Sequence, residues 1–427
     1  MKIIDFKDYA PRQGGGMPPE VMESAGFIVA GVRKGGNGAL LEFTKRFDGA
    51  ELRQEDLEVG QRELDMALDA TPSGLRTALE NSALRIRAFQ KLQMPSPFTH
   101  EMAPGVTAGV TYDPIESAGL YAPGGRAAYP STVLMTAIPA KVAGVGRVVM
   151  CSPPGSNGEI PGIILAAAKI AGVDRVFRAG GAQAKAAMAY GTETIPPVEK
   201  IFGPGNIYVT AAKFIVSRDV AIDLPAGPSD VLIYAEGWEE RLSRWVAADM
   251  LAQSEHDPMA RSLLVTPSKQ LAEAVNRLME AWGDGTGNGG ALERSLKEGA
   301  IILVKGREEG IRAINSIAPE HLQLFCSGQE KVMRAVRNAG AVFMGEYSPV
   351  ALGDYTAGTN HVLPTMGWSR RASPLSVRDF LRSREYLKCT KAGLEAIGRD
   401  VIMLAEAEGL KKHAESIRIR LEEDIGK

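Results

Sequence analysis

The sequence predicts an α/β protein with two doubly wound, Rossmann-like domains and helical N- and C-terminal segments. From about residue 107, short runs of β-branched residues alternate with alanine-rich helical segments, and the same alternation returns in a second block. Strands that alternate with helices form parallel sheets that are covered on both faces. At 427 residues the chain also exceeds a single small core, so more than one domain is expected.

The first hundred residues predict helices. Apolar residues recur at three- and four-residue spacing in Gly38–Phe47 and in the longer stretch Leu64–Leu92. Thr71–Pro72–Ser73 is typical of a helix start, because proline is tolerated at an early helical position. We therefore expect an N-terminal helical region over residues 1–106, packed on the second sheet domain.

The first sheet domain is expected over residues 107–228, and its strands and helices alternate. The predicted strands are Arg147–Cys151, Arg175–Phe177, Lys200–Phe202 and Val220–Asp223, and the predicted helices are Gly162–Ala171, Ala182–Tyr190 and Ile207–Ser217. Residues 229–374 repeat the pattern as a second sheet domain, which suggests an ancient duplication. Its predicted strands are Val231–Tyr234, Ser262–Val265, Ala300–Val304, Gln323–Phe325 and Ala341–Met344, with helices near Leu242–Gln253, Gln270–Ala281, Glu308–Ile317 and Glu330–Ala339.

The tail, residues 375–427, is predicted to be helical and ends in the charged amphipathic segment His413–Asp424. A helix outside both sheet blocks needs a surface to pack on. Its own chain or a second subunit could provide that surface.

Composition and charge exclude several classes of protein. The net charge is −2 with acids and bases interspersed, which argues against a nucleic-acid partner. Met1–Lys7 lacks the apolar core of a signal peptide, and no apolar run is long enough to cross a bilayer. Three widely spaced cysteines, Cys151, Cys326 and Cys389, favour neither a disulfide framework nor a cysteine-based zinc site. A cytoplasmic protein with no membrane partner is expected.

Glycine-rich segments indicate where a cofactor could bind. Gly285–Gly290 matches the dinucleotide fingerprint, but it follows a helix where the fingerprint requires a strand, so we interpret it as a loop. Gly119–Arg126, Gly180–Gln183 and Gly203–Asn206 each follow a predicted strand and lead into a helix, where backbone N–H groups can meet an anion. Such loops also simply connect strands to helices, and the sequence leaves both readings open.

Four of the five histidines lie near Glu, Asp or Gln residues, a pattern typical of a metal site. Gln253 and His256 are three residues apart and would share a helix face. Together with Asp354 and His413 they supply two nitrogen and two oxygen donors, which suit zinc or a similar divalent ion. Taken singly, His256 could be a helix-end residue bonded to a neighbour, and His413 could lie on a solvated helix face.

Glu320–His321 places two bases of different intrinsic pKa side by side, which suits two successive proton transfers. Residues next to each other on a strand point to opposite faces, but a turn after Pro319 could bring both into one pocket. An ordinary loop pair remains the alternative for this dipeptide alone. His361 could bind a substrate or cap an element, and His100 is expected on the surface.

Together these patterns resemble the histidinol dehydrogenase family from about Asn37 to His413. The motifs that carry the resemblance are Gly119–Ser131, Gly180–Gln183 with Tyr190–Glu193, Gly203–Asn206, Ala226–Ser229, Gln253–Pro258, Pro319–Leu322, Gly353–Pro364 and Glu408–His413. The resemblance implies a zinc-dependent homodimer with interlocked subunits that uses NAD to oxidise L-histidinol to L-histidinaldehyde and then to L-histidine.

The resemblance also implies roles for individual residues. Glu320 and His321 would be the acid/base pair. One zinc ion per subunit would be held by Gln253, His256, Asp354 and His413, with His413 reaching in from the partner subunit. These ligands and Glu320 would also contact the substrate, which Ser229, His361 and Glu408 would hold. The residues expected to bind NAD are Tyr121, Gln183 and Asn206.

Two other classes of protein and one alternative substrate agree with parts of the sequence. Trp368, Arg370–Arg371 and Ser383–Arg384 carry more positive charge than the family pattern, which would suit a sulfonated diol oxidised to the sulfonated hydroxy acid. Glu408 favours histidinol, because a cationic substrate needs a negative partner. A zinc protein without catalysis would not need Glu320–His321 or the glycine loops. A zinc hydrolase would be expected to carry a His-Glu-x-x-His helix, which this sequence lacks.

Overall fold

A computed structural model describes residues 1–11, 16–124, 128–224, 227–255, 257–283 and 291–422. The chain divides into two compact units, one comprising Met1–Gln93 with Ile115–Phe380, the other Met94–Pro114 with Leu381–Lys427. Of the helices in the described part of the chain, none combines the length and apolar character that a membrane-spanning segment requires.

The strands in chain order are β1 (Lys2–Asp5), β2 (Glu58–Val59), β3 (Phe98–Ala103), β4 (Val106–Pro114), β5 (Ser117–Tyr121), β6 (Arg147–Ser152), β7 (Arg175–Arg178), β8 (Lys200–Phe202), β9 (Ala221–Ile222), β10 (Asp230–Ala235), β11 (Arg261–Thr266), β12 (Ala300–Leu303), β13 (His321–Phe325), β14 (Ala341–Met344) and β15 (Leu381–Cys389). The helices are α1 (Pro19–Asp48), α2 (Gln61–Ala70), α3 (Ser73–Leu92), α4 (Pro130–Ala143), α5 (Gly162–Ala171), α6 (Gly181–Tyr190), α7 (Ile207–Val216), α8 (Glu240–Ser254), α9 (Lys269–Gly283), α10 (Ala291–Glu298), α11 (Arg307–Ile317), α12 (Gln329–Ala335), α13 (Val350–Tyr355), α14 (Lys391–Ala407) and α15 (Lys411–Glu422).

The two large sheets share one topology. The first sheet is six-stranded in the order β2-β7-β6-β5-β8-β9, with β2 antiparallel and the other strands parallel. The second is six-stranded and wholly parallel in the order β1-β12-β11-β10-β13-β14. From β5 and from β10 onwards, the strands follow the same doubly wound order. The second and third strands are added on one side of the first strand, and the fourth and fifth strands on its other side. The prediction of two doubly wound blocks is confirmed, and the shared order supports a duplication.

The second sheet is buried on both faces, as parallel strands require. Val231 and Ile233 of β10 contribute to one apolar cluster, while Leu232 and Tyr234 contribute to another on the opposite face. The alternation explains why the sequence of this strand is apolar throughout, without the polar positions of a half-exposed strand.

The N-terminal helices pack against the first sheet, so the expected packing on the second sheet is wrong for them. Helix α1 contacts α6 and α7, α2 contacts α5, and α3 contacts α4. Val32 and Phe43 of α1 share a core with Phe177 of β7. The alanine-rich surface of α6 allows this close approach. The unpredicted strand β1 joins the second sheet, and Phe6 and Tyr9, which follow it, pack against the core of that sheet.

Helix α1 contains a break at Gly36, whose φ of 54° lies in the left-handed region. The Glu193 carboxylate accepts a hydrogen bond from the backbone N–H of Asn37 at 2.7 Å. This bond satisfies an N–H group that the break exposes, so the second half of α1 starts as an independent helix. The apolar periodicity of this second half explains why the sequence predicted a helix only from Gly38.

The smaller unit contains a three-stranded antiparallel sheet in the order β15-β4-β3, followed by α14 and α15. The prediction of a helical tail from residue 375 is therefore wrong for Leu381–Cys389, which form β15. Its partner strand, β4, ends at Pro114, far earlier in the chain, and local periodicity carries no signal for such a pairing. The predicted terminal helix, His413–Asp424, lies within α15 as far as Glu422, and residues 423 and 424 lie outside the described residues.

Candidate active site

A cavity of about 470 Å³ lies between the two large sheets. Tyr121, at the end of β5, and the loop Pro204–Asn206, after β8, bring the carboxyl edge of the first sheet to it. Ser229 and the pair Glu320 and His321 bring the amino edge of the second sheet, because β10 and β13 begin there. The cavity thus joins opposite edges of two sheets that have the same topology.

Glu320 and His321 are both buried and both line this cavity, as the turn after Pro319 predicted. The chain enters β13 through Ala318, a non-glycine residue with a φ of 54°, and this left-handed residue redirects the backbone before the strand. The two side chains are close to one another, with 3.8 Å between His321 Nδ1 and Glu320 Oε2.

Hydrogen bonds define the orientation of both side chains. The backbone N–H of Asp230 donates to Glu320 Oε2 at 3.1 Å. His321 Nδ1 donates to the backbone carbonyl of Asp230 at 3.0 Å. Nε2 is therefore the ring nitrogen that remains for proton transfer. Among the described residues His321 Nε2 has no hydrogen-bond partner, and the nearest carboxylate oxygen, Asp354 Oδ1, is 3.7 Å away.

The surroundings raise the pKa of both groups. Burial raises the pKa of Glu320 above its usual range, although the neighbouring His321 and the Ser229 hydroxyl partly oppose this. Burial disfavours a charged His321, but the Glu320 and Asp354 carboxylates outweigh burial and raise its pKa. The shift brings the pKa of Glu320 closer to neutral pH than that of an exposed glutamate, which suits general acid/base chemistry.

Two of the four predicted zinc ligands, Gln253 and Asp354, lie among the described residues of the larger unit. Gln253 is buried at the end of α8, and its Nε2 donates to Ser229 Oγ at 2.9 Å, which leaves the amide oxygen outside this bond. Asp354 lies on α13 and lines the cavity. His256, the third predicted ligand, lies outside the described residues. Within the described ranges no three His, Cys, Asp or Glu side chains come together as a metal site.

His361 is held at both ring nitrogens. Nδ1 donates to the backbone carbonyl of Asp354 at 3.0 Å, and Nε2 lies 3.0 Å from the hydroxyl of Thr132 near the start of α4. In the neutral ring, Nε2 accepts from that hydroxyl. Thr132 also lines the cavity, and no sequence motif singled it out.

The three residues expected to bind a cofactor line a second, larger cavity of about 1230 Å³. Tyr121, Gly124 and Asn206 border both cavities, so the two spaces adjoin. Asn206 Oδ1 already accepts from the backbone N–H groups of Tyr208 and Val209 at 3.0 Å and caps α7. Its amide nitrogen is the group left for a ligand.

Gln183 is held by Asp48, which sequence reasoning missed. Gln183 Nε2 donates to Asp48 Oδ2 at 3.2 Å, and both side chains line the larger cavity. Burial raises the pKa of Asp48 to about 6, although hydrogen bonds from Gln183 and Gly180 partly oppose this. Asp48 is the last residue of α1, where the helix dipole disfavours an acid, and this was the one signal in the sequence.

The remaining predicted residues lie elsewhere. Glu408 and His413 belong to the smaller unit, near α14 and α15, and both are exposed in the single chain. His100 is exposed on β3, as expected. Gly285–Gly290, together with Gly125 and Arg126 of the first glycine loop, lies outside the described residues.

The arginines that suggested a sulfonated substrate have partners in the structure. Arg370 donates to the backbone carbonyl of Ser316, and the Arg371 guanidinium lies 4.6 Å from the centre of the Trp368 ring. Arg384 pairs with Asp113 on β4 at 2.9 Å. Each of these three arginines therefore has a partner within the protein, and that of Arg384 is an acid.

Comparisons with known proteins point to one family. The histidinol dehydrogenase family model matches residues 15–421. The histidinol dehydrogenase of Methanosarcina mazei is 47% identical over 403 residues, 94% of this chain and 92% of the relative. That of Methanothermobacter thermautotrophicus is also 47% identical over 403 residues, 94% of each chain. The crystal structure of histidinol dehydrogenase from Elizabethkingia anophelis superposes with a TM-score of 0.93 at 34% identity, over 99% of this chain and 98% of that one.

Proposed function

The chain belongs to the histidinol dehydrogenase family of oxidoreductases, and on that premise we propose that it oxidises L-histidinol to L-histidine through L-histidinaldehyde, with NAD as oxidant and zinc at the site. The observation that carries the proposal is the buried pair Glu320 and His321, at the wall of a cavity that adjoins the larger, proposed cofactor cavity.

The donor chemistry fits zinc. Gln253 and Asp354 would provide oxygen ligands and His256 a nitrogen, with His413 supplied by the partner subunit. The hydrogen bond from Gln253 to Ser229 supports this assignment, because it fixes the amide with its oxygen outside the bond. When bound, zinc would supply a template that orients the imidazole and amine of histidinol.

In the first oxidation, His321 is the proposed base. His321 Nε2 would take the hydroxyl proton while hydride leaves the substrate carbon for the nicotinamide ring of NAD. Since Nδ1 is engaged with the Asp230 carbonyl, Nε2 is the atom available for this proton. The Glu320 and Asp354 carboxylates would stabilise the imidazolium that forms.

In the second oxidation, Glu320 is the proposed base. Glu320 would remove a proton from the water that adds to the aldehyde, and a second hydride would then leave for NAD. Its raised pKa makes the carboxylate a stronger base than an exposed glutamate. A buried site would also keep the reactive aldehyde from escaping between the two steps.

A homodimer with an exchanged tail is part of the proposal. In the smaller unit, Met403, Leu404 and Leu387 are 59%, 66% and 69% exposed, an apolar surface that a second subunit would cover. Glu408 and His413 belong to the same unit, so the dimer would bring them to the partner's site. The three cysteines are unpaired, which supports a reducing compartment such as the cytoplasm.

The test is a turnover assay. Purified protein with zinc, NAD and histidinol should reduce two NAD molecules for each histidinol consumed, measured by absorbance of the reduced cofactor and by the histidine formed. A sulfonated diol in place of histidinol is the comparison. Turnover of the sulfonated diol alone would refute the substrate assignment, and a single NAD reduced per histidinol would refute the two-step oxidation.

A further inference from the structure

We infer that Asp230 and Arg261 form a positioning pair that holds Glu320 and His321 together in their catalytic orientation. The inference rests on the proposed function, because it takes Glu320 and His321 as the acid/base pair. It assigns a role to two residues that neither line the cavity nor belong to any motif of the sequence. Asp230 is the first residue of β10, and Arg261 is the first residue of β11.

Asp230 contacts both members of the catalytic pair. Its carboxylate oxygen Oδ1 accepts from the backbone N–H of Glu320 at 2.7 Å, and its own N–H donates to Glu320 Oε2 at 3.1 Å. Its carbonyl accepts from His321 Nδ1 at 3.0 Å. One residue therefore fixes the backbone and side chain of Glu320 and also selects the tautomer of His321.

Arg261 holds the Asp230 carboxylate in place. Its guanidinium donates to Asp230 Oδ2 at 2.9 Å, the oxygen that Glu320 does not use. Asp230 is 2% exposed and Arg261 is 9% exposed, so the charges compensate each other where water does not reach. Tyr9, which follows β1, also interacts with the Arg261 side chain.

A buried ion pair is weak support for a purely stabilising role, because apolar substitutes of similar shape are often as stable. Here both oxygens of the carboxylate are used, one on the catalytic dipeptide and one on the guanidinium. The geometry points to orientation as the function of the pair. Displacing a catalytic group by about 1 Å can lower turnover roughly 100-fold.

The strand β10 offers a matched control at its opposite end. Glu236 directly follows β10 and pairs with Arg307, whose Nε lies 2.8 Å from Glu236 Oε1, at the carboxyl edge of the same sheet. Glu236→Gln removes an arginine-paired carboxylate as Asp230→Asn does, but away from the cavity. It should leave turnover per active site unchanged.

The experiment compares Asp230→Ala, Asp230→Asn and Glu236→Gln with the wild-type dimer, loaded with zinc and normalised to its zinc content. We expect Asp230→Ala to lower kcat about 100-fold with histidinol and with histidinaldehyde, because without the carboxylate the Asp230 backbone, whose N–H and carbonyl bond to the two bases, is no longer tied to Glu320 N–H and Arg261. Asp230→Asn keeps an acceptor for the Glu320 N–H and should recover part of that loss. The KM for NAD should stay within about twofold of wild type.

Each outcome decides the question. A defect in only one half-reaction, an equal defect in Glu236→Gln, or wild-type kcat in both Asp230 variants would overturn the inference while the proposed function stands. Wild-type protein that does not oxidise histidinol would overturn the proposed function and this inference together. If Asp230→Ala does not fold, Asp230→Asn decides alone, since its shape is that of aspartate and its kcat must still fall in both half-reactions.

Discussion

Asp48→Asn should stabilise the folded protein at neutral and alkaline pH while weakening its affinity for NAD. The carboxylate lies in the proposed cofactor cavity and accepts from Gln183, at the end of a helix whose dipole disfavours negative charge. Burial raises the pKa of Asp48 from 3.8 to about 6, which means that folding disfavours the ionised form. Asparagine keeps the shape and removes the charge.

The magnitude follows from that shift. Two pKa units correspond to about 3 kcal/mol, which we reduce to about 1.5 kcal/mol because the side chain is partly exposed. The folded-state pKa lies above the unfolded value, so the favourable contribution of Asp48 is complete below about pH 4 and is lost as pH rises through about 6. The advantage of the asparagine variant should therefore be full at pH 8 and about half as large at pH 5.

Urea unfolding at both pH values measures this difference. Asp69→Asn on α2, where the side chain is 79% exposed, is the control and should change stability little at either pH. An advantage for Asp48→Asn that is equal at pH 5 and pH 8, or no advantage at pH 8, would refute the reasoning from desolvation.

The same variant tests the role of Asp48 toward the cofactor. A carboxylate can only accept, so it commits the Gln183 amide nitrogen and leaves the oxygen for a ligand. Asparagine can accept or donate, so Gln183 would lose its enforced orientation. One weakened hydrogen bond is worth about 1 kcal/mol, or about a fivefold rise in the KM for NAD. Unchanged KM for NAD would show that Gln183 does not depend on Asp48.

Four other substitutions test the site and the fold. His321→Asn should slow histidinol oxidation about 100-fold or more while sparing histidinaldehyde oxidation. Glu320→Gln should slow histidinaldehyde oxidation and spare histidinol oxidation. Equal damage to both half-reactions would contradict the division of roles. Thr132→Val removes the hydroxyl that bonds to His361 Nε2. It should raise the KM for histidinol about fivefold and leave the KM for NAD unchanged. A raised KM for NAD with an unchanged KM for histidinol would place His361 at the cofactor. Gly203→Ala should lower the free energy of unfolding by roughly 2 kcal/mol, measured by thermal unfolding. The φ of Gly203 is 107°, and a Cβ there would approach the backbone oxygen of Tyr121 at 2.3 Å. An unchanged melting temperature would show that the loop relaxes.

The sheet blocks could be predicted because strands such as β8 and helices such as α5 carry their pattern within a few residues. Strand β15 could not, since its pairing partner is β4 and the contact is not local. The same limit applies to the site. Glu320 and His321 stand out as neighbours in the sequence, whereas Asp230 is an ordinary aspartate until folding brings it to Glu320, 90 residues away.

The two sheets have one strand order but contribute opposite ends to the catalytic cavity. If both arose from a single ancestral unit, the proposed function gives the two copies different tasks: one would bind the cofactor at its carboxyl end, and the other would carry out proton transfer at its amino end. At the carboxyl end of the second sheet, Glu236 is paired with Arg307. A chimaera made by replacing either half with a copy of the other should therefore fold with familiar architecture yet lack a working centre.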